Sequence, residues 1–298
     1  MGDYATIAKT LMDSLDLRVA PVAVILADAP PQGVPGPSMP AAAGCVFWEW
    51  GAQSAVVTEA KDHANCAVGM FTHHEVAIAG LQEVLHRQLT LLEKRLPGYG
   101  HVGVGREDGK QRGEYAPIFY RKDRLELTRS ETIWLSETPK KAGSKSWDSS
   151  LPRIATLAWL KEKETGKRLL VVNTHFDHRG AVARRESAAL IGRHVKQVNQ
   201  QKLPVVVMGD LNCLPGSEPY KQFTQAGYQD ALEKSEKDHQ GPRSSWNGFG
   251  TKVVAGRRID FIFVSPGFRV LEHKIDARQF KGRFPSDHCP VISQLARP

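Results

Sequence analysis

The chain has 298 residues, 41% apolar and 24% charged, a balance that excludes disordered and fibrous classes and is long enough for a sizeable core. No apolar run approaches the ~18–20 residues of a membrane span. The first 17 residues carry Asp3, Asp13 and Asp16 instead of a basic-then-apolar export signal, so a cytoplasmic location is expected. Four cysteines (Cys45, Cys66, Cys213, Cys289) make no disulfide framework in a chain this long, which fits a reducing compartment. The net charge of +8 is uneven: residues 1–75 hold three Lys/Arg against eight Asp/Glu, and residues 76–298 hold 37 against 24. That asymmetry suggests two segments of different origin, and only the second, at +13, bears on an anionic ligand.

In chain order, Ile7, Leu11 and Leu15 predict a helix over residues 6–17, and the run PVAVILA predicts a buried strand over 21–27. Residues 30–40 hold five prolines and two glycines and read as a loop or linker. Short apolar patches over 41–72 predict mixed structure. After about His74 the pattern is clearer. A short strand over 76–81 ends in Gln82-Glu83, and Leu85, Leu89, Leu92 and Leu96 mark a helix stopped by Pro97-Gly98. Further strands are expected at 117–120, 153–162, 168–175, 204–209, 258–265, 271–275 and 289–295, with helices at 181–198 and 218–225. Thr165-Gly166 reads as a hairpin turn, so the sheets are expected to be mixed. The fold class is α/β: a layered α/β sandwich with mixed β-sheets, plus a small N-terminal α/β fragment.

Polar residues fall at the ends of apolar strands. LLVV leads into Asn173-Thr174-His175-Phe176-Asp177-His178, VVVM into Gly209-Asp210-Leu211-Asn212, and IAGL into Gln82-Glu83. Arg258-Ile259-Asp260 opens FIFV, and Ser286-Asp287-His288 precedes CPVI. Such positions lie on a sheet rim, where a rigid scaffold holds a site. Carboxylates gathered on one rim repel unless cations or histidines neutralise them, and oxygen ligands suit Mg²⁺ or Mn²⁺.

These five motifs, in this order, resemble the endonuclease/exonuclease/phosphatase superfamily over residues 76–297. The resemblance implies a divalent-metal-dependent phosphoesterase using activated water. It implies Glu83 and Asp287 as metal ligands, with His288 on the scissile phosphate or the attacking water and Asp260 orienting its ring. Asp210 would position or deprotonate that water or hold a second metal, Asn212 would bind phosphate, and His175 would contact phosphate near the leaving group. Glu114 resembles the acid that orients this last histidine. Arg153, in a stretch resembling bacterial members, is either structural or substrate-binding. The phosphate ester could belong to a nucleic acid, a phosphorylated small molecule or a lipid headgroup; no protein partner is inferable.

The chain departs from the family at its start. Members begin with a strand ending in an Asn-bearing motif, followed by a helix; here the only asparagine ahead of Glu83 is Asn65, in a poor context. Instead, Pro21-Val-Ala-Val-Ile25, Gly44-Cys45-Val46-Phe47-Trp48 and Asp62-His63-Ala64-Asn65-Cys66 resemble the beginning of domain-of-unknown-function family 169. The expected domains are therefore 1–74, a fragment of that kind, and 75–298, a phosphoesterase-like domain lacking its first strand. Occupation of the vacant strand position by residues 21–27 would restore pairing but not the asparagine. The rival to an enzyme is thus a catalytically impaired fusion acting at most as a binding module.

Blander readings stand beside these. Singly, each rim acid is as well read as a capped turn or a surface ion pair; the ordered set favours a site. His178, Arg179, Arg184 and Arg185 read as solvated charges at a helix start, and Lys140, Lys141 and Lys145 as a solvated loop. Cys45, His63, Cys66, His73 and His74 lack the paired spacing of a zinc site. Trp48 and Trp50 have no interleaved basic residues and read as core.

Overall fold

The structure is a computed structural model that describes residues 73–279 and 284–296, together with 69–71, 282 and the backbone of 20–27. The helix expected over 6–17, the loop over 30–40, and Cys45, Trp48, Trp50, His63, Asn65 and Cys66 lie outside the described residues.

Two six-stranded sheets form the frame. In chain order the elements are β1 (Ala20–Ala27), β2 (Ile78–Gln82), α1 (His86–Arg95), β3 (Tyr99–Val102), β4 (Ile118–Arg121), β5 (Leu125–Trp134), β6 (Ile154–Glu162), β7 (Arg168–His175), α2 (Ala181–Val198), β8 (Val205–Asp210), α3 (Glu218–Gln225), β9 (Gln229–Asp230), α4 (Ala231–Lys234), β10 (Asp260–Val264), β11 (Arg269–Ile275) and β12 (Val291–Ala296). One sheet has the order β11-β12-β1-β2-β4-β3, the other β5-β6-β7-β8-β10-β9. The first contains the parallel pair β1/β12 and the second the parallel pair β7/β8, which α2 joins as a crossover. The remaining pairings are antiparallel, so both sheets are mixed, as expected.

Strands packed on both faces need apolar side chains at consecutive positions, which is why they read as unbroken runs. In β8, Val206 and Met208 face the other sheet, joining Ile78, Ile118, Val171, Ile262 and Val291 in the central core. Val205 and Val207 point the other way, onto Ala188, Ile191 and Val195 of α2 and Phe223 of α3. On the outer face of the first sheet, Leu89 and Leu92 of α1 cover Ala79, Leu81, Phe119 and Ile292. The result is four layers: α1, sheet, sheet, α2 with α3.

Strand β1 fills the slot between β2 and β12. Its register sets Ala20 opposite Gln82 and Val22 opposite both Gly80 and Val291. The backbone pairing that the missing family strand would supply is therefore made by this segment. Its direction is parallel to β12 and antiparallel to β2, so the end level with Gln82 is its first residue, Ala20. A strand that ended in an asparagine beside Gln82 would run the opposite way. The residues β1 brings to this end are Ala20 and Pro21, and no amide side chain is among them.

A pair of buried amides ties the sheets together beneath the rim. Gln82 Nε2 donates to Asn173 Oδ1 at 2.6 Å, and Asn173 Nδ2 donates to the carbonyls of Leu81 and Pro117 at 2.8 and 2.9 Å. Gly80 makes room for this bridge, since a Cβ there would overlap the Asn173 side chain.

Candidate active site

Strand ends of both sheets converge on one rim. Asp210 closes β8 and lies opposite Asp260, which opens β10, while His175 closes β7 beside Asp210 in parallel register. Gly209, with φ +140°, is obligatory: a Cβ there would collide with the carbonyl of Thr174, so only glycine lets β8 approach β7 this closely. Glu83 follows β2 at φ +59°, a left-handed conformation that costs a non-glycine residue ~1–3 kcal/mol and typically persists where the surroundings over-determine it. Asn212, at φ +46°, is of a type that tolerates this region.

The first cluster is buried and consists of Asp210, Asp260 and His288, whose ligand-capable atoms lie within 4.8 Å of one another. His288 Nδ1 is 2.8 Å from Asp260 Oδ2. Burial alone would lower the pKa of His288, but Asp260 by charge and hydrogen bond, then Asp210 and Asp287, outweigh it and raise it to about 10. The ring is thus an imidazolium at neutral pH. Asp210 moves the other way for a carboxyl group: burial, then the Asp260 charge, push it up to about 7. Its Oδ1 accepts the backbone N–H of Asn212 at 2.7 Å, and its Oδ2 the Asn212 side-chain amide at 3.2 Å. The second oxygen of Asp260 is buried without a hydrogen-bond partner.

The second cluster is Glu83, Glu114 and His175, again with ligand-capable atoms within 4.8 Å. His175 is buried; burial first, then the charges of Arg153 and Arg106, hold it well below the usual imidazole range, so the ring is neutral. Its Nε2 lies 3.4 Å from Asp210 Oδ2 and 3.8 Å from Glu83 Oε1. Asn212 Nδ2 is 3.2 Å from the same nitrogen, but it also donates to Phe176 O at 3.1 Å and to Asp210.

Two expected relationships are not those the structure makes. Glu114 does not meet His175 Nδ1; its Oε2 pairs with Arg106 Nη1 at 2.5 Å, and Arg153 Nη1 occupies His175 Nδ1 at 2.9 Å. Asp287 is half-buried and belongs to neither cluster. It lies close enough to His288 to raise its pKa, and its carbonyl accepts the N–H groups of Asn247 and Gly248 at 2.8 and 3.1 Å.

The sequence reading overlooked Arg106, Asn247 and Asp177. Asp177 is a buried carboxylate that ties the loop before β6 to the end of β7. It accepts from Ser150 N and Oγ, Leu151 N, Arg179 N and Gly180 N. Although burial opposes ionisation, these donors hold its pKa far below the usual carboxylate range. The available signal was an acid three residues ahead of a glycine that starts a helix, a common capping arrangement. Asp148 caps that helix from outside, accepting from Val182 N at 3.1 Å and Ala183 N at 2.6 Å. Arg106 comes from an irregular loop, and no periodicity marks it.

Comparison with known proteins identifies the family. The sequence model of the Endonuclease/Exonuclease/phosphatase family matches residues 60–288. Among solved structures, an endonuclease/exonuclease/phosphatase from Bacteroides vulgatus is 40% identical with a TM-score of 0.76, the match covering 80% of this chain and 91% of that one. A family protein from Bacteroides thetaiotaomicron is 36% identical (TM-score 0.75; 79% and 86% covered), and a mannosyl-6-phosphatase from the same organism is also 36% identical (TM-score 0.74; 79% and 91% covered). No curated protein matches. Among the described residues, no helix is long and apolar enough to cross a membrane. The chain therefore belongs to the endonuclease/exonuclease/phosphatase family.

Proposed function

We propose that the chain is a divalent-metal-dependent phosphoesterase, using Mg²⁺ or Mn²⁺, that hydrolyses the phosphomonoester of a small phosphorylated compound such as a sugar phosphate. The observation that carries this reading is the buried Asp210–Asp260–His288 cluster, which keeps an imidazolium and a carboxyl group of pKa near 7 side by side. The 36%-identical mannosyl-6-phosphatase supports the monoester choice.

The donor set fits a hard cation. Glu83 and Glu114 present carboxylate oxygens, and Asp260 Oδ1 is a buried oxygen with no hydrogen bond, the kind of orphan a cation satisfies. Glu83, with Glu114 alongside, would hold the ion; Asp287, the other ligand the family resemblance implies, stands outside both clusters. A bound ion of this class polarises a phosphoryl oxygen and offsets the charge that develops there.

The chain's own groups supply the rest. Asp210, raised to about 7, is suited to take the proton of an attacking water at its carboxylate, since a general base works best with a pKa near the operating pH. His288, held charged by Asp260, donates from Nε2 to a phosphoryl oxygen. The His175 Nε2–H adds a neutral donor on the neighbouring strand end, and the Asn212 amide, which donates to Phe176 O and Asp210, would exchange one of those bonds to bind phosphate. Arg106 pairs with Glu114 and holds its carboxylate in place.

One observation favours a second reading, an impaired enzyme. The reversed β1 completes the sheet but brings only Ala20 and Pro21 to the rim where the family strand carries an asparagine. Hydrolysis of p-nitrophenyl phosphate, bis-p-nitrophenyl phosphate and mannose 6-phosphate with Mg²⁺ or Mn²⁺ separates the two. Turnover lost in Glu83→Ala and His288→Ala supports the enzyme; equal rates in both variants, or none in the parent chain, reject it.

A further inference from the structure

The side chain of Arg153 is 4% exposed, yet its two terminal nitrogens spend themselves on histidines rather than on an acid. Nη1 lies 2.9 Å from His175 Nδ1, and Nη2 lies 3.1 Å from His178 Nδ1. Its Nε is 3.5 Å from Asp177 Oδ2 but makes no hydrogen bond. Asp177 has no need of the arginine, since five N–H and O–H donors already surround it.

Guanidinium has donors only. Both ring nitrogens facing it must therefore be bare acceptors, and the proton of each neutral imidazole must sit on Nε2. For His175 this settles the crowded side of the ring. It puts an N–H on that side, 3.4 Å from Asp210 Oδ2, while the Asn212 amide beside it donates to Phe176 O and Asp210 Oδ2. His178 is different: it is exposed, so holding its ring in one orientation costs rotamer freedom and brings little burial in return. A buried arginine fixing an exposed imidazole three residues from His175 is an arrangement that packing does not require.

We propose that Arg153 is a positioning residue that holds His175 and His178 together as Nε2–H tautomers, so that His178 stands at the rim as a second N–H donor for a phosphoryl oxygen. The tautomer assignment stands on geometry alone; the phosphoryl role of His178 rests on the phosphoesterase reading. The pairing differs from what the family resemblance implies, in which an acid holds the His175 ring.

The test is long-range ¹⁵N–¹H correlation spectroscopy of the histidine rings in the full chain at neutral pH, without metal. Both rings are expected to show bare Nδ1 and protonated Nε2. In Arg153→Met both should relax to a tautomer mixture. In Arg153→Lys a single ammonium reaches one ring at most, so at least one should be released. Rings that keep their tautomers in Arg153→Met overturn the proposal; should that variant not fold, two unchanged rings in Arg153→Lys do the same. Added inorganic phosphate should move the His178 Nε2–H resonance in the parent chain, and a resonance that stays put rejects the donor role while leaving the tautomer result standing. Locked tautomers and a phosphate response without turnover of p-nitrophenyl phosphate would count against the enzyme reading, not against the role of Arg153.

Discussion

Asp260 and His288 are 28 residues apart in the chain, yet a carboxylate oxygen of one lies 2.8 Å from Nδ1 of the other, with both side chains buried. The pair exists because β10 begins and the loop before β12 ends at the same rim. It sets the charge state of the site, and the first expectation follows from it.

Stability of the metal-free protein should fall as pH rises above neutrality. His288 has its folded pKa raised to about 10 from 6.5, so its contribution is complete below pH ~6.5 and lost as pH climbs through 10. Asp210, raised to about 7 from 3.8, binds its proton more tightly in the folded state and loses stability over the window from ~4 to 7. The two windows act in the same direction. Urea midpoints should descend from pH 7 to pH 9, above the range in which the lowered pKa values of His175 and His273 act in the opposite sense, and in Asp260→Asn that drop should shrink because the imidazolium has lost its partner. A drop of equal size in both proteins would show that the pair does not carry the effect.

Asn173 offers a test of the bridge beneath the site. Replacing it with Leu, close to it in size, removes one acceptor from Gln82 and one donor from each of two carbonyls, all buried. Unsatisfied buried groups cost ~1–3 kcal/mol each, and because the Pro117 carbonyl keeps the Leu81 N–H, Asn173→Leu should destabilise by at least about 2 kcal/mol in urea unfolding. A loss below about 1 kcal/mol would mean that the sheets are held by apolar packing alone.

Gly209→Ala should be worse tolerated than most alanine substitutions. The residue sits at φ +140°, and the new methyl would meet the Thr174 carbonyl of the neighbouring strand. Strain of this kind together with a backbone clash predicts a loss above about 3 kcal/mol and a displaced Asp210. Thermal melts check the first. The Asp210 displacement would appear as a changed His175 ring resonance.

Much of this organisation was legible before any coordinates, for reasons that particular elements make plain. Helices Ala181–Val198 and Glu218–Gln225 and strand Arg168–His175 begin and end where the apolar period, Gly180 and Thr165-Gly166 predict. The motif acids occupy strand ends because an apolar run that stops at a polar residue is a strand leaving the core. Strand Leu125–Trp134 was missed, since it lies at a sheet edge and carries the charges that keep such edges from pairing with other chains. Strand Tyr99–Val102 is likewise an edge, four residues long and half-buried throughout. Gln82 and Asn173 read as members of site motifs, whereas their amides are spent joining the sheets. The Arg106–Glu114 pair closes within one irregular loop and the histidines on Arg153 lie 22 and 25 residues from it, so no periodicity signals either. Nor does an apolar run encode its direction in a sheet, so the reversal of β1 was invisible.

Metal binding should depend on Glu83 and not on the exposed lysines of the loop before β6. By the effect usual for groups around a metal, Glu83→Gln should weaken Mn²⁺ binding ~10–100-fold in calorimetry, with Lys141→Ala unchanged. Equal affinity in Glu83→Gln and the parent would move the ion to the Asp210–Asp260 cluster.

The reversed strand yields the remaining expectation. Strand β1 lies between β12 and β2, and its residues Val22, Ala23 and Val24 pair with both. Proline at Val24 removes an N–H from the middle of that ladder, a position where proline is not found in central strands. If the segment is an integral strand, Val24→Pro should lower the melting temperature by several degrees and the soluble yield sharply, because the edges of β2 and β12 become available to other chains. Val34→Pro, in the linker-like stretch that follows the strand, serves as the control and should leave both unchanged. Were Val24→Pro to melt and express like the parent, the sheet would hold without β1, and the slot between Ile78–Gln82 and Val291–Ala296 would close or be filled by another part of the chain.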